Sequence, residues 1–174
     1  MSAESPGAVR PAVSQLPAYR PGKGVAQAEA EHGITDAIKL ASNENPYSPI
    51  QQVVDAIAAA AVEVNRYSDH RASELRSAIA EWHGVGEDQV TVGCGSVGLI
   101  QQLFLTYVDP GDEVVTPWRS FEVYPIDTML MGAQLVPVPL VDGAVDLDAV
   151  AGAVTERTKL VLVATPNNPP GPAV

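Results

Sequence analysis

Three stretches of this chain combine residue types that can hold an anion or a planar ring. The first, Gly93-Cys94-Gly95-Ser96-Val97-Gly98, follows the short run Gln89-Val90-Thr91-Val92 and opens a helical pattern. Glycine lets a backbone approach an anion closely, and the first N–H groups of a helix lack intrahelical acceptors, so such a turn can cradle a phosphate. Ser96 adds a hydroxyl, either as a further donor to an anion or as the N-cap of its own helix. The second, Pro117-Trp118-Arg119-Ser120-Phe121-Glu122-Val123-Tyr124, sets aromatics after a strand, where one can stack on a planar ring or simply fill a core. The third, Thr165-Pro166-Asn167-Asn168-Pro169-Pro170-Gly171, follows the apolar run 160–164 and locks two asparagines between prolines. Asn168 can hydrogen-bond a phenolate-like oxygen or ring substituent, whereas Asn167 can close an Asx-turn. Rigid loops of this kind suit the carboxyl edge of a parallel sheet, and together they point to a phosphate-bearing cofactor.

Other chemistries find little support. The glycine turn lacks the third glycine of a dinucleotide fingerprint, an acidic ribose partner, and a Walker lysine. His32, His70 and His83 are far apart and show no ligand spacing, so no metal site is expected. Cys94 beside a helix start can have a lowered pKa or be a small packed residue. Asp142, Asp146 and Asp148 read as a solvated turn and helix cap, and no hydrolase triad can be assembled. Ten Lys+Arg against twenty-one Asp+Glu leave a net charge of -11 with no basic stripe, which argues against nucleic acid as a partner. A single cysteine excludes an internal disulfide, and no run approaches the ~20 apolar residues of a membrane helix. The first 25 residues lack an apolar signal region, so a cytoplasmic location is expected.

At 174 residues with 46% apolar content, the chain is about one domain's worth of polypeptide. Residues 1–33 read as a Pro- and Gly-punctuated N-terminal arm. Residues 34–88 read as a helical segment: a short strand over 34–41, a helix capped at Ser48-Pro49 and running to about Val64, then a helix with Leu75, Ile79 and Trp82 on one face that stops at Gly84. From residue 89 to 174 the pattern turns regular. Strands are predicted at 89–92, 113–116, 134–138 and 159–164, alternating with helices at 97–107, 121–131 and 147–154. Such βαβ alternation implies an α/β fold, a mostly parallel sheet with helices on both faces.

Taken in order, Leu40-Ala41-Ser42-Asn43-Glu44-Asn45-Pro46-Tyr47, Asn65-Arg66-Tyr67, Gly93-Cys94-Gly95-Ser96, Pro117-Trp118-Arg119-Ser120-Phe121 and Pro166-Asn167-Asn168-Pro169-Pro170-Gly171 form a specific set. It resembles the N-terminal half of fold-type I pyridoxal-phosphate aminotransferases of the histidinol-phosphate branch, and especially the aromatic (phenylalanine) aminotransferases within it. The resemblance covers nearly all of residues 34–171. It implies a partial large domain of that fold at 89–174, pyridoxal 5′-phosphate as cofactor, and a homodimer. By the same resemblance Gly95, Ser96 and Val97 would cradle the cofactor phosphate, Phe121 would stack on the pyridine ring, and Asn168 would bond the ring's 3′ oxygen. Tyr67 would reach the phosphate of a neighbouring subunit, and Tyr19 and Asn45 would border the substrate pocket.

The implied reaction is transamination between an amino acid, either histidinol phosphate or an aromatic one, and a 2-oxo acid such as 2-oxoglutarate, in amino-acid biosynthesis. Two departures stand out. Pro170 replaces a usual threonine, stiffening the loop. The only lysines are Lys23, Lys39 and Lys159, and none has the serine-lysine setting of the family's Schiff-base lysine. No catalytic residue is therefore expected within the chain, and an inactive fragment is the expectation. The rival readings are a non-catalytic binding or dimerisation remnant, and a nucleotide-binding α/β domain.

Overall fold

A computed structural model of the chain describes residues 9–16, 22–40 and 42–174. The chain divides into two compact units, Ala18–Val90 and Thr91–Val174, the second joined by the described residues 9–16.

The unit Thr91–Val174 is built on a three-stranded parallel sheet. Its central strand is β1 (Glu113–Trp118), flanked by β2 (Gln134–Pro139) and β3 (Thr158–Val161) in the order β2-β1-β3. Among the described residues, four helices belong to this unit: α1 (Pro11–Ser14), α5 (Gly95–Tyr107), α6 (Val123–Met131) and α7 (Leu147–Gly152). The connection β1–α6–β2 steps one way along the sheet, and β2–α7–β3 steps back across β1. Right-handed crossovers then require α6 and α7 to lie on opposite faces. The core agrees. Val114 and Val115 are both fully buried and point to opposite sides of the strand. Val114 packs with Phe104 and Val108 from the α5 side, and Val115 packs with Val138 and with Val150 of α7. The layers are helix, sheet, helix, as the alternating pattern implies.

A charged clip holds the amino edge of the sheet. Glu113 is 3% exposed; Thr155 Oγ1 donates to its Oε2 at 2.6 Å, and Arg157 pairs with its Oε1. The Glu113 amide donates to Arg157 O at 2.9 Å, so side chain and backbone tie β1 to the turn before β3. The Thr155 hydroxyl, and then the Arg157 guanidinium, hold the carboxyl below its ordinary value of 4.5 against the opposing effect of burial. Asp146 caps α7 as expected, its Oδ1 accepting from the Ala149 amide at 2.9 Å.

The unit Ala18–Val90 is helical among its described residues. It contains α2 (Val25–His32), α3 (Gln51–Ala60) continued by a 3-10 turn Ala61–Glu63, α4 (Ser73–His83), and a 3-10 turn Glu87–Gln89. Gly84 ends α4 in the left-handed region at φ 66°, where glycine is unstrained. The Asp69 carboxylate accepts the amides of Arg71 and Ser73 and so braces the start of α4.

Several elements differ from expectation. Residues 34–40 form no strand, and residue 41 lies outside the described set. Residues 90–92 pair with nothing among the described residues, although Val90 has extended backbone, φ -114° and ψ 127°. A β-branched run becomes a strand only where a neighbour supplies ladder partners, and none is present here. Helix α3 starts at Gln51 behind Ile50, not behind Ser48. Within 1–33, where little periodicity is visible, α1 and α2 form.

The pH dependence of the Glu113 clip follows by linkage. A carboxyl with a depressed folded pKa contributes stability that is complete above its unfolded value and lost as pH falls through the lower folded one. Glu113→Gln should therefore lower chemical-denaturation stability at pH 7, and the gap to wild type should close on acidification below pH 4.5. A gap of constant size from pH 7 to pH 3 would contradict this role.

Candidate functional site

Helix α5 begins with Cys94 as N-cap, and no side chain caps it. The Gly95 amide turns back to Gly93 O at 2.8 Å, and Gly95 sits at φ 66°. A Cβ there would meet no atom within 4 Å, so the need for glycine is conformational rather than spatial. Among the described residues the amides of Ser96 and Val97 have no acceptor, and both residues are exposed. Ser96 lies inside the helix, so the reading of Ser96 as N-cap gives way to Cys94. What remains is an uncapped helix N-terminus with donors free in its first turn.

Strand β1 ends at Trp118 and leads into Arg119-Ser120-Phe121. Arg119 Nη2 donates to Glu122 Oε1 at 2.6 Å, and its guanidinium carbon lies 6.0 Å from the Trp118 ring centroid. Phe121 is half-buried and meets Tyr124 in a T-shaped contact, ring centroids 5.7 Å apart at 85°. Burial pushes the Tyr124 phenol up from its ordinary value, consistent with an aromatic wedge rather than an acid.

The 165–171 loop is tied to this segment by one side chain. Asn167 is 3% exposed: its Oδ1 accepts from the buried Ser120 Oγ at 2.7 Å, and its Nδ2 donates to Arg119 O at 3.1 Å. Its backbone closes the loop on itself, with Gly171 N donating to Asn167 O at 2.6 Å and Asn167 N donating to Pro172 O at 3.0 Å. Asn167 does more than close a local turn; it clamps two loops 47 residues apart. Nothing local in the sequence marks Ser120 as its partner. The neighbouring Asn168 is half-buried, and its side chain makes no hydrogen bond among the described residues.

These pieces share one edge of the sheet. β1 and β3 run parallel, and the Leu162 amide extends their pairing by donating to Val115 O at 2.9 Å, so the 119–121 and 165–171 loops both leave at the carboxyl edge. Helix α5 enters β1 through the tight 109–112 turn and therefore runs antiparallel to it. Its 13 residues span about 20 Å, the length of β1, which brings its N-terminus to that same edge. Free amides, an aromatic ring and an uncommitted carboxamide thus gather where α/β sheets bind ligands. Lys159 lies at the opposite edge. It is exposed, and it is the extra residue where the β1–β3 register shifts between Glu113 and Val114.

In the other unit, Asn45 Oδ1 accepts from the Tyr47 amide at 3.0 Å in an exposed turn. Tyr67 is fully exposed. Tyr19 lies outside the described residues. Among the described residues no group of three or more His, Cys, Asp or Glu could hold a metal ion.

Comparison with known proteins adds a family to this geometry. The family model described as aminotransferase class I and II matches residues 35–174. An aromatic amino acid aminotransferase of Thermobifida fusca is 47% identical over all of this chain and 47% of its own length. One of Corynebacterium diphtheriae is 49% identical over 95% of this chain and 46% of its own. Among solved structures, the histidinol-phosphate aminotransferase from Sinorhizobium meliloti, in complex with pyridoxal-5′-phosphate, superposes with a TM-score of 0.82 at 30% identity, covering 97% of this chain and 44% of that one. The chain spans about half the length of the curated relatives it matches.

The two adjacent asparagines separate in a stability experiment. Asn167→Ala should destabilise the unit by about 1–3 kcal/mol, because it strands the buried Ser120 hydroxyl and the Arg119 carbonyl. Asn168→Ala, which removes no hydrogen bond among the described residues, should shift stability by less than about 0.5 kcal/mol. Equal losses in paired denaturant titrations would contradict the division of labour.

Proposed function

The chain belongs to the aminotransferase class I and II family, and on that premise we propose that its carboxyl edge holds pyridoxal 5′-phosphate, the cofactor that membership implies. The observation carrying this reading is the pair of acceptor-free amides at Ser96 and Val97 on the edge that also bears Phe121 and Asn168. The amides of Ser96 and Val97 and the Ser96 hydroxyl hold the phosphate dianion, on the turn that Gly95 shapes at φ 66° with its own amide bonded to Gly93 O, and the α5 dipole adds to these donors. Phe121 stacks against the ring, and Asn168 donates to the ring's 3′ oxygen. The donor set fits the group, being anion donors at one end and a carboxamide with an aromatic at the other. When bound, the cofactor supplies the electron sink that lets an amino group pass between an amino acid and a 2-oxo acid.

The whole protein's activity, on this reading, is transamination between an aromatic amino acid and a 2-oxo acid such as 2-oxoglutarate in amino-acid biosynthesis. The names of the relatives at 47% and 49% identity support the aromatic choice. The histidinol-phosphate enzyme of S. meliloti keeps histidinol phosphate as the second candidate. Tyr67 reaches the phosphate of a second subunit in a homodimer, and its full exposure supports that role. Asn45 and Tyr19 border the substrate. No membrane-length apolar helix is found among the described residues, and a cytoplasmic setting is part of this proposal.

These 174 residues carry no lysine positioned for the covalent role. Lys159 is at the amino edge of the sheet, and Lys23 and Lys39 are paired with Glu31 and Glu44. We therefore read the polypeptide by itself as a cofactor-binding piece without turnover, the binding or dimerisation remnant being its limiting case. Equilibrium dialysis of this chain should give pyridoxal 5′-phosphate at least about tenfold tighter binding than pyridoxal, since charge-assisted bonds to phosphate carry the affinity. Asn168→Ala should weaken both ligands. Coupled assays with L-phenylalanine and 2-oxoglutarate should detect no amino transfer. Equal binding of the two vitamers would overturn the phosphate cradle, and turnover would overturn the reading of the lysines.

A further inference from the structure

Away from the carboxyl edge, one buried polar atom of the unit Thr91–Val174 is unmatched. Asp127 on α6 is 3% exposed, yet its Oδ2 has no hydrogen-bond partner among the described residues. The next residue shows how α6 ordinarily treats such groups: the buried Thr128 Oγ1 donates to Tyr124 O at 2.7 Å. Burial raises the Asp127 pKa, and Gln101 opposes it without reversing the direction. An orphan of this kind in a native interior calls for a partner.

Asp127 lines a cavity of about 190 Å³ between α5 and α6. Phe104, Leu105, Leu130 and Met131 form apolar walls, and Gln101 stands beside the carboxyl. Arg10, from the segment that leads into α1, also lines it; its Nη2 donates to Leu130 O at 3.0 Å, which commits one of a guanidinium's five N–H donors. The lining residues come from the middle and last turns of α5 and α6, towards the amino edge of the sheet, so the cavity is distinct from the proposed cofactor site.

We propose that this cavity binds a free apolar α-amino acid. The ammonium meets the Asp127 carboxylate, supplying the counter-charge that burial denies it. The carboxylate meets Arg10, and the side chain lies against Phe104, Leu105 and Met131. Alternatives fit worse. A nucleotide or drug-sized ligand needs a pocket of about 300–1,000 Å³. A simple amine would leave Arg10 facing a like charge, and a simple carboxylic acid would set its anion against Asp127. A zwitterion with an apolar body satisfies both ends and the walls between them. The site gives the protein a means of sensing an amino acid without consuming it.

Isothermal titration of the 174-residue chain with L-leucine, without added pyridoxal 5′-phosphate, tests this. L-Leucine should bind; 3-methylbutylamine, lacking the carboxylate, and 4-methylpentanoate, lacking the ammonium, should each bind at least about tenfold more weakly. Asp127→Asn, nearly isosteric and checked for folding by circular dichroism, should weaken L-leucine by about tenfold or more, and Arg10→Ala should do so independently. Asn168→Ala should leave L-leucine affinity unchanged. No binding of L-leucine, or binding untouched by both Asp127→Asn and Arg10→Ala, overturns the proposal. Loss in Asn168→Ala alone would place the amino acid at the carboxyl edge, overturning this site while sparing the cofactor reading. Normal L-leucine binding with no preference for the phosphorylated vitamer would do the reverse.

Discussion

The carboxyl edge of the sheet depends on one buried carboxamide. Asn167 accepts from Ser120 and donates to the Arg119 carbonyl, and so fixes the loop after β3 against the loop after β1. Asn167 and Ser120 are both buried, so the alternative to their bond is a pair of unmet polar groups in a dry interior, which is far costlier than losing the same bond to water. That asymmetry explains why two loops distant in sequence stay in one arrangement. The side chain next in line, Asn168, is then presented at a defined place without spending its own hydrogen bonds on the scaffold. A ligand that takes up Asn168 meets a group already oriented, which lowers the ordering penalty of binding.

The sheet beneath reinforces this. Val114 and Val115 anchor opposite faces of β1, and the Glu113 clip secures the edge remote from the loops. Buried polar ties thus secure both ends of β1, and the acceptor-free amides of Ser96 and Val97 lie at the carboxyl edge. The other unit has a different character. Its α3 buries no residue, and Ile57, Val62, Tyr67 and Trp82 are each more than half exposed. Apolar surface in that quantity is a hallmark of segments that pack against something else.

Much of the α/β half was legible because its signals are local. Gly84 and Gly132 end helices at positive φ, Asp146 caps α7, and β-branched runs alternate with helical stretches. The pairing of Ser120 with Asn167 was not legible, since nothing within either segment names a partner 47 residues away. The run at 89–92 looked like a strand because its composition suits one, but a strand is a property of two segments, and no second one pairs there. Ser96 suits a cap by residue type, yet the helix starts two residues earlier than its periodicity suggests, leaving Cys94 at the cap and Ser96 inside. The shift matters because it takes the Ser96 hydroxyl out of a capping role and leaves it beside the acceptor-free Ser96 and Val97 amides.

The most direct test follows those two amides. In a ¹⁵N-resolved NMR titration of the chain with pyridoxal 5′-phosphate, the largest shifts should fall on the Ser96 and Val97 backbone amides and on the Asn168 side-chain NH₂, with Asn167 Nδ2 nearly still. Shifts confined to other regions, with Ser96, Val97 and Asn168 unmoved at saturation, would contradict the account.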